Sequence, residues 1–216
     1  MSNINWDTVR SSVARVYQQD SSGHGMDHID RVVSLCQRII ADTDEPVDTD
    51  VILMSAYVHD MIDPKVVSDP ARARQDLTDF LHSQQLSDSQ IAEIFEIIDH
   101  MSFAKNLTAH QPLNINGQIV QDADRLDAIG AIGIARAFYY GGKFGDPLYD
   151  PARPPRDLND ETQYRVHNTV INHFYEKLFR LTDSLNTPVA QRIGELRNER
   201  MRSFVVDFIS EWNGKP

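Results

Sequence analysis

The sequence predicts an all-α protein forming one domain over residues 1–216, on three observations. Apolar residues recur at spacings of three and four through most of the chain, which is the period of one helix face. Alternation of period two is nearly absent, and neither a linker nor an internal repeat divides the chain. The composition, 41% hydrophobic and 25% charged, is that of a folded globule with a buried core.

Each element follows from its local pattern. Trp6, Val9, Val13 and Val16 form the stripe of a first helix. Ile29, Val32, Val33, Leu35, Cys36 and Ile39 form a broader one. Val51 to Met61 is nearly all apolar and reads as a central buried helix ending in polar residues. Asp69-Pro70 marks a helix start, since proline suits the first turn, and Leu77, Phe80 and Leu81 then face inward. Ser87 is a good N-cap for a helix through Ile91, Ile94, Phe95, Ile97 and Ile98. Leu113 to Val120, with the Asn116-Gly117 turn signal, is expected to form a short hairpin. Ile119 to Phe138 carries a helix or helix pair. Gly141 to Asp157 holds three Gly and four Pro and is expected to be a long Gly/Pro-rich loop. Two long helices, Glu161 to Asp183 and Thr187 to Trp212, complete the chain.

The formal net charge of −11 excludes general binding to a nucleic-acid duplex or an anionic membrane, because such partners gain affinity from basic surfaces. A small phosphorylated substrate stays compatible, since an ion and a few local cations can reverse the field in one pocket. Cys36 is the single cysteine, so no intramolecular disulfide forms. The opening residues lack the basic and apolar regions of a signal peptide, and the apolar runs are far shorter than the ~20 residues that span a bilayer. The expected compartment is the cytoplasm.

Three segments concentrate chemistry: Gly23 to Val32 with His24 and His28, Ala56 to Lys65 with His59-Asp60, and Gln121 to Ile129 with Asp122, Asp124 and Asp127. A His-Asp pair ending an apolar helix is expensive to bury without a partner, and a divalent cation satisfies both groups. Adjacent helical side chains diverge by roughly 100°, so a second imidazole and carboxylate must come from other helices. From the residues alone, His24 and His28 compete for the imidazole, and the three aspartates compete for the carboxylate. Mixed imidazole and carboxylate ligation suits one divalent ion among Mn, Fe, Ni, Co, Zn or Mg.

The ordered pattern resembles the HD-domain phosphohydrolase superfamily, whose signature is H…HD…D on a helical scaffold. It is closer to a bacterial branch of small, single-domain members. The matches run through His28-x-x-Arg31-Val32, Val58-His59-Asp60-x-x-Asp63-x-Lys65 and Asp122-Ala123-Asp124-Arg125-Leu126-Asp127. They continue through Arg136-Ala137-Phe138, His173 to Leu178 and Asn186-Thr187…Arg197. The resemblance implies an HD-type helical bundle and an ion held by His28, His59, Asp60 and Asp124. Asp124 is preferred to Asp122 because a basic and then an apolar residue follow it, and His24 falls outside the ligand slot.

Asp63, three residues after Asp60 and so on nearly the same face, is the candidate to orient or deprotonate water; capping the break before Pro64 is its bland alternative. His100 is a candidate for protonating a leaving group. Lys65, His173 and Lys177 are candidates for phosphate contact. Arg31 and Arg125 are expected to pair with the carboxylates, and the aromatic loop Phe138 to Phe144 to offer rings to a ligand. The GYP element of the cyclic-dinucleotide phosphodiesterase branch is absent. The branch resemblance implies hydrolysis of (deoxy)nucleoside triphosphates to monophosphate and pyrophosphate. A (deoxy)nucleoside monophosphate phosphatase is the alternative, and a nucleotide-sensing module without turnover or a purely structural salt-bridge network are the other classes. The expected partner is a small phosphorylated molecule such as a nucleotide, with a homodimer possible through the two C-terminal helices.

Overall fold

A computed structural model of the chain describes residues 4–17, 25–62, 67 and 69–215. Among these residues every regular element is helical and there is no strand. The first half supplies α1 (Trp6–Val16), α2 (Met26–Ala41), α3 (Thr49–Val58), α4 (Pro70–Ser83), α5 (Asp88–His100) and α6 (Phe103–Thr108). The second half supplies α7 (Ile115–Asp127), α8 (Gly130–Phe144), α9 (Glu161–Arg165), α10 (Val170–His173), a π-turn (Phe174–Leu178), α11 (Phe179–Asp183) and α12 (Pro188–Trp212). None of them is long and apolar enough to cross a membrane.

Side chains that satisfy the first free N–H groups start these helices. Asn5, Asp48, Asp69, Asn114, Asp160, Thr169 and Thr187 each accept from a backbone N–H one turn ahead. Ser87 and Gln90 form a reciprocal capping box on α5. Pro70 and Pro188 occupy first-turn positions, where their missing donors are harmless.

Helix α3 is the axis of the core, with every residue from Val51 to Val58 buried. It packs against α2, α5 and α7, while α12 lies on α7 and α8. The stripes read from sequence point inward at Val9, Val13, Ile29, Val32, Val33, Cys36, Ile39, Leu77 and Leu81. Val16 is exposed, and Leu35 and Phe80 are only partly buried.

Three expectations are corrected. Residues 115–120 are not a hairpin but the first turns of α7, capped by the Asn114 side chain, which accepts from Gly117 N at 3.0 Å. Gly117 is needed for packing, because a Cβ there would lie 3.0 Å from Leu113 and 3.1 Å from Ile97. The long loop starts at Gly145, not Gly141. Helix α8 runs through Phe144 and ends on Gly145 at φ +74°, the left-handed cap that glycine favours. Gly141 and Gly142 are therefore helical, and a Cβ at Gly141 would meet Val170 Cγ2 at 2.4 Å.

The expected helix from Glu161 to Asp183 is broken into α9, α10, the π-turn and α11. Arg156 causes part of this, donating to Gln163 O and Val166 O and so tying down the stretch after α9. The N–H groups of Val170 and Ile171 then donate to Pro147 O and Leu148 O of the loop instead of to a preceding turn. A continuous helix would have no N–H groups left for these carbonyls.

Candidate metal centre

The helices α2, α3 and α7 bring the site together. His28 is on the first turn of α2 and is 1% exposed. His59 and Asp60 follow the last residue of α3, and Asp124 lies in the last turn of α7. His59 Nδ1 donates to Ala56 O at 2.9 Å, a carbonyl that the helix end leaves open. His28 Nδ1 donates to Asp127 Oδ2 at 2.7 Å. Each ring has thus committed its Nδ1 proton, so in their neutral forms both Nε2 atoms present lone pairs.

Those two Nε2 atoms lie 3.3 Å apart. Asp60 Oδ2 is 3.3 Å from His59 Nε2 and 3.7 Å from His28 Nε2. Asp124 Oδ1 is 3.6 Å from His28 Nε2 and 3.9 Å from His59 Nε2. The nearest ligand atoms of His28, His59 and Asp60 all fall within 4.8 Å of one another. Atoms bound at about 2.1 Å to one ion sit about 3.0 Å apart on an octahedral edge and about 3.4 Å on a tetrahedral one. The observed edges, from 3.3 to 3.9 Å, exceed the octahedral value and bracket the tetrahedral one, and four acceptors facing one another repel unless a cation lies between them. The donor set therefore fits a divalent ion.

The electrostatics agree. Burial pulls the His59 pKa down, yet the Asp60 and Asp124 carboxylates outweigh it and raise it to about 9. The cluster holds a proton where an ion would supply the positive charge. Burial pushes the His28 pKa below the usual imidazole value, keeping that ring neutral as a ligand must be.

The three aspartates of α7 have separate tasks. Asp122 is fully buried and accepts from Asn186 N and Nδ2 and from Thr187 N and Oγ1, which pins the start of α12. Asp124 faces the two imidazoles, 38% exposed. Asp127 sits behind His28, where it accepts from Arg31 Nε at 2.6 Å, from Arg31 Nη2 at 3.2 Å and from Arg136 Nη1. Burial works against the Asp127 charge, but His28 and the two arginines hold its pKa well below the usual carboxylate range. The sequence gives Asp127 no role as the support of His28, and Arg136 none at the site; their signals are the place of Asp127 beside Asp124 and of Arg136 in the Arg-Ala-Phe motif.

A cavity of about 420 Å³ shares Arg136 with this cluster, since that residue is in the cavity wall and also contacts Asp127 and His28, while none of the four candidate ligands lines it. Arg136, Lys177, His173 and Arg165 line it together with Tyr139, Tyr140 and Tyr164. Lys177 Nζ donates to Tyr164 Oη at 3.0 Å. Burial opposes the Lys177 charge, while Tyr164 and Asp124 favour it enough to raise its pKa. His173 is driven the other way, to about 3, by burial and then by Lys177, so it is neutral at physiological pH.

The remaining expectations divide. Asp63, Lys65 and His24 lie outside the described residues. His100 ends α5 with a buried Nδ1 that has no partner among the described residues, and it belongs neither to the cavity wall nor to the ligand group. Arg31 pairs with carboxylates as expected, but Arg125 turns away and donates to Ser184 O. The aromatic stretch 138–144 is helical rather than a loop. Phe138 packs inward on Phe174, Phe204 and Phe208, while Tyr139 and Tyr140 line the cavity.

Fold and cluster together define an all-helical domain built around a candidate divalent-cation site. The chain belongs to the HD superfamily of metal-dependent phosphohydrolases. The HD-domain family profile matches residues 25–129. Over 200 residues the chain is 35% identical to YpgQ of Bacillus subtilis, spanning 92% of this chain and 89% of that protein. It is similar to a Lactobacillus plantarum protein of known structure, with 43% identity, a TM-score of 0.87 and 97% of each chain covered. A Bacillus thuringiensis protein described as an HD-superfamily hydrolase has 35% identity and a TM-score of 0.75 over 97% of each chain. The crystal structure of YpgQ in complex with ADP matches with a TM-score of 0.72 and 31% identity, covering 96% of this chain and 97% of that one.

Proposed function

We propose that this chain hydrolyses (deoxy)nucleoside triphosphates to a monophosphate and pyrophosphate, using one divalent ion held by His28, His59, Asp60 and Asp124. The observation that carries the reading is the cavity that shares Arg136 with the His28–Asp127 pair, lined by Arg136, Arg165 and Lys177 and by Tyr139, Tyr140 and Tyr164, with Asp146 and Glu176 also in its wall. Cations suit a phosphate chain and phenol rings suit a base or sugar. Binding of ADP by the relative YpgQ supports a nucleotide as the ligand.

When bound, the ion would polarise a phosphoryl oxygen and lower the pKa of a water molecule. The chain's own residues do the rest. Asp127 fixes the tautomer of His28 so that Nε2 faces inward. Lys177 stays charged against Tyr164 and Asp124 and is placed to contact phosphate oxygens. His173 is neutral beside it and can only offer a hydrogen bond. Asp63 is assigned the proton of the attacking water and Lys65 a further phosphate contact, while His100, which lies outside both the cavity wall and the ligand group, is given no part in the reaction. The water oxygen bonds to the α-phosphorus, the bond to the α–β bridging oxygen breaks, and pyrophosphate departs with that oxygen.

The test is a nucleotide panel with Mn²⁺, Co²⁺ or Mg²⁺, measuring phosphate and pyrophosphate separately, with Asp60→Ala as control. Pyrophosphate released from triphosphates by the wild type alone is the expected result. Phosphate released from monophosphates overturns the reading in favour of a phosphatase. Nucleotide binding without turnover under any metal overturns it in favour of a sensing module.

A further inference from the structure

Asp127 is held by two arginines that differ in what else they face. Arg31 takes both carboxylate oxygens and also donates to Asp27 at 2.8 Å. It is not part of the cavity wall. Arg136 spends one nitrogen, Nη1, on Asp127 Oδ2 and passes 2.6 Å from His28 Nδ1, since both groups converge on that oxygen. Its side chain is 25% exposed, it lines the cavity, and its Nε and Nη2 have no partner among the described residues. A guanidinium carries donors in a rigid fork that matches two oxygens of a phosphate or carboxylate. Arg31 already donates to both Asp127 oxygens, so Arg136 needs only one nitrogen there and keeps the rest of its fork for another partner.

The local fold explains how Arg136 reaches this place. A Cβ at Gly133 would lie 2.3 Å from Ala128 O, so only glycine lets the first turns of α8 close down on the end of α7. Arg136 is three residues further on and therefore on the same face of α8, which brings it beside Asp127 at the end of α7. Across the cavity the Lys177 ammonium feels the Arg136 charge as a repulsion and the Asp124 charge as an attraction. Two like charges in the wall of one cavity are relieved when an anion enters between them.

We infer that Arg136 binds the phosphate chain of the substrate: with Nη1 anchored on Asp127, its remaining N–H groups hold a non-bridging oxygen of a nucleoside polyphosphate beside the ion. The inference rests on the phosphohydrolase reading for its substrate class, but its test does not need turnover.

Binding of inorganic tripolyphosphate to the Mn²⁺-loaded protein is measured by calorimetry, and metal retention by elemental analysis after dialysis. Wild type, Arg136→Gln, Arg136→Lys and Arg31→Gln are compared. Loss of a charge-assisted pair should weaken tripolyphosphate binding about 10- to 100-fold in Arg136→Gln, with metal retention within about 3-fold of wild type because Arg31 still holds Asp127. Arg136→Lys keeps the charge without the fork and should recover part of the affinity. Arg31→Gln should show the reverse pattern, losing metal while the loaded fraction binds tripolyphosphate as the wild type does. Wild-type affinity in Arg136→Gln overturns the inference. So does a parallel loss of metal and phosphate identical to that of Arg31→Gln, which would mark a purely structural role. If no nucleotide is turned over but tripolyphosphate binding still depends on Arg136, the inference stands and the proposed function falls.

Discussion

Replacing Asp127 with Asn preserves the shape of the side chain and removes the charge on which Arg31, Arg136 and His28 converge. The carboxylate is 2% exposed, while the two arginines keep 31% and 25% of their side-chain surface. Removing one partner of a fully buried ion pair costs about 3–5 kcal/mol. Water reaches both guanidinium groups here, so the lower end applies, about 3 kcal/mol. For a chain of this length each kcal/mol shifts Tm by about 2–4 °C, which gives a fall of about 6–12 °C. The amide also ceases to fix the His28 tautomer, and losing such a supporting partner weakens metal binding about 10- to 100-fold.

Thermal unfolding followed by far-UV circular dichroism, with metal content measured after dialysis, reads both effects. The pH dependence supplies a sign. The Asp127 pKa is lowered on folding, so its stabilisation is present above the unfolded value of about 3.9 and is lost as pH falls below it. The gap between wild type and Asp127→Asn should therefore close in acid. An Asp127→Asn protein that melts within about 2 °C of wild type and keeps its metal would refute this account of the site.

Three further outcomes are expected. Asp122→Ala leaves the backbone N–H of Thr187 without its acceptor, costs about 3 kcal/mol, and leaves metal content unchanged. Asp124→Ala does the opposite, and finding the two phenotypes exchanged would reverse the roles given to them. Gly133→Ala should cost at least about 1–3 kcal/mol in denaturant unfolding and raise KM, because α8 and Arg136 shift together. An unchanged KM would show that this close approach does not position Arg136. In chelator-treated protein, the raised His59 pKa contributes stability that is fully present below about 6.5 and lost as pH rises through about 9. Its Tm should fall over that range relative to His59→Gln, while affinity for Mn²⁺ rises as the ion replaces the proton. A flat difference between the two proteins would mean that His59 does not carry the proton.

Periodicity made the helices legible because most of them bury one face against α3 or α7, as Ile29, Val32, Cys36 and Ile39 do on α2. It failed where glycine served packing rather than turning. Gly117 and Gly141 are small because Ile97, Leu113 and Val170 leave no room, and the chain itself carries no sign of those distant neighbours. The break between α9 and α10 was hidden for the same reason, since Arg156 imposes it from a preceding loop. At the site, the His59-Asp60 doublet was legible from its polar residues at the end of an apolar helix. Choosing His28 over His24 and Asp124 over Asp122 needed a resemblance. Asp122, Asp124 and Asp127 look alike in one dimension, and only the contacts of each carboxylate tell a helix anchor from a candidate ligand and from the support of His28. Arg136 could not be read as a site residue because its partner lies on the preceding helix and the cavity it lines is completed by residues as far on as Lys177.

The dispersal of the four ligand groups has a consequence for the chain as a polymer. An ion shared by His28, the His59-Asp60 pair and Asp124, as proposed, would close loops of 31 and 64 residues (59 − 28 and 124 − 60). That is a cross-link of the kind that disulfides provide elsewhere, in a chain whose one thiol, Cys36, is buried and has no second cysteine to join. If some of these contacts survived in the expanded chain, each closure would withhold conformational freedom from it, by about 4 kcal/mol for loops of this size. The ion would then act as a removable staple, and its release would loosen α2, α3 and α7 together.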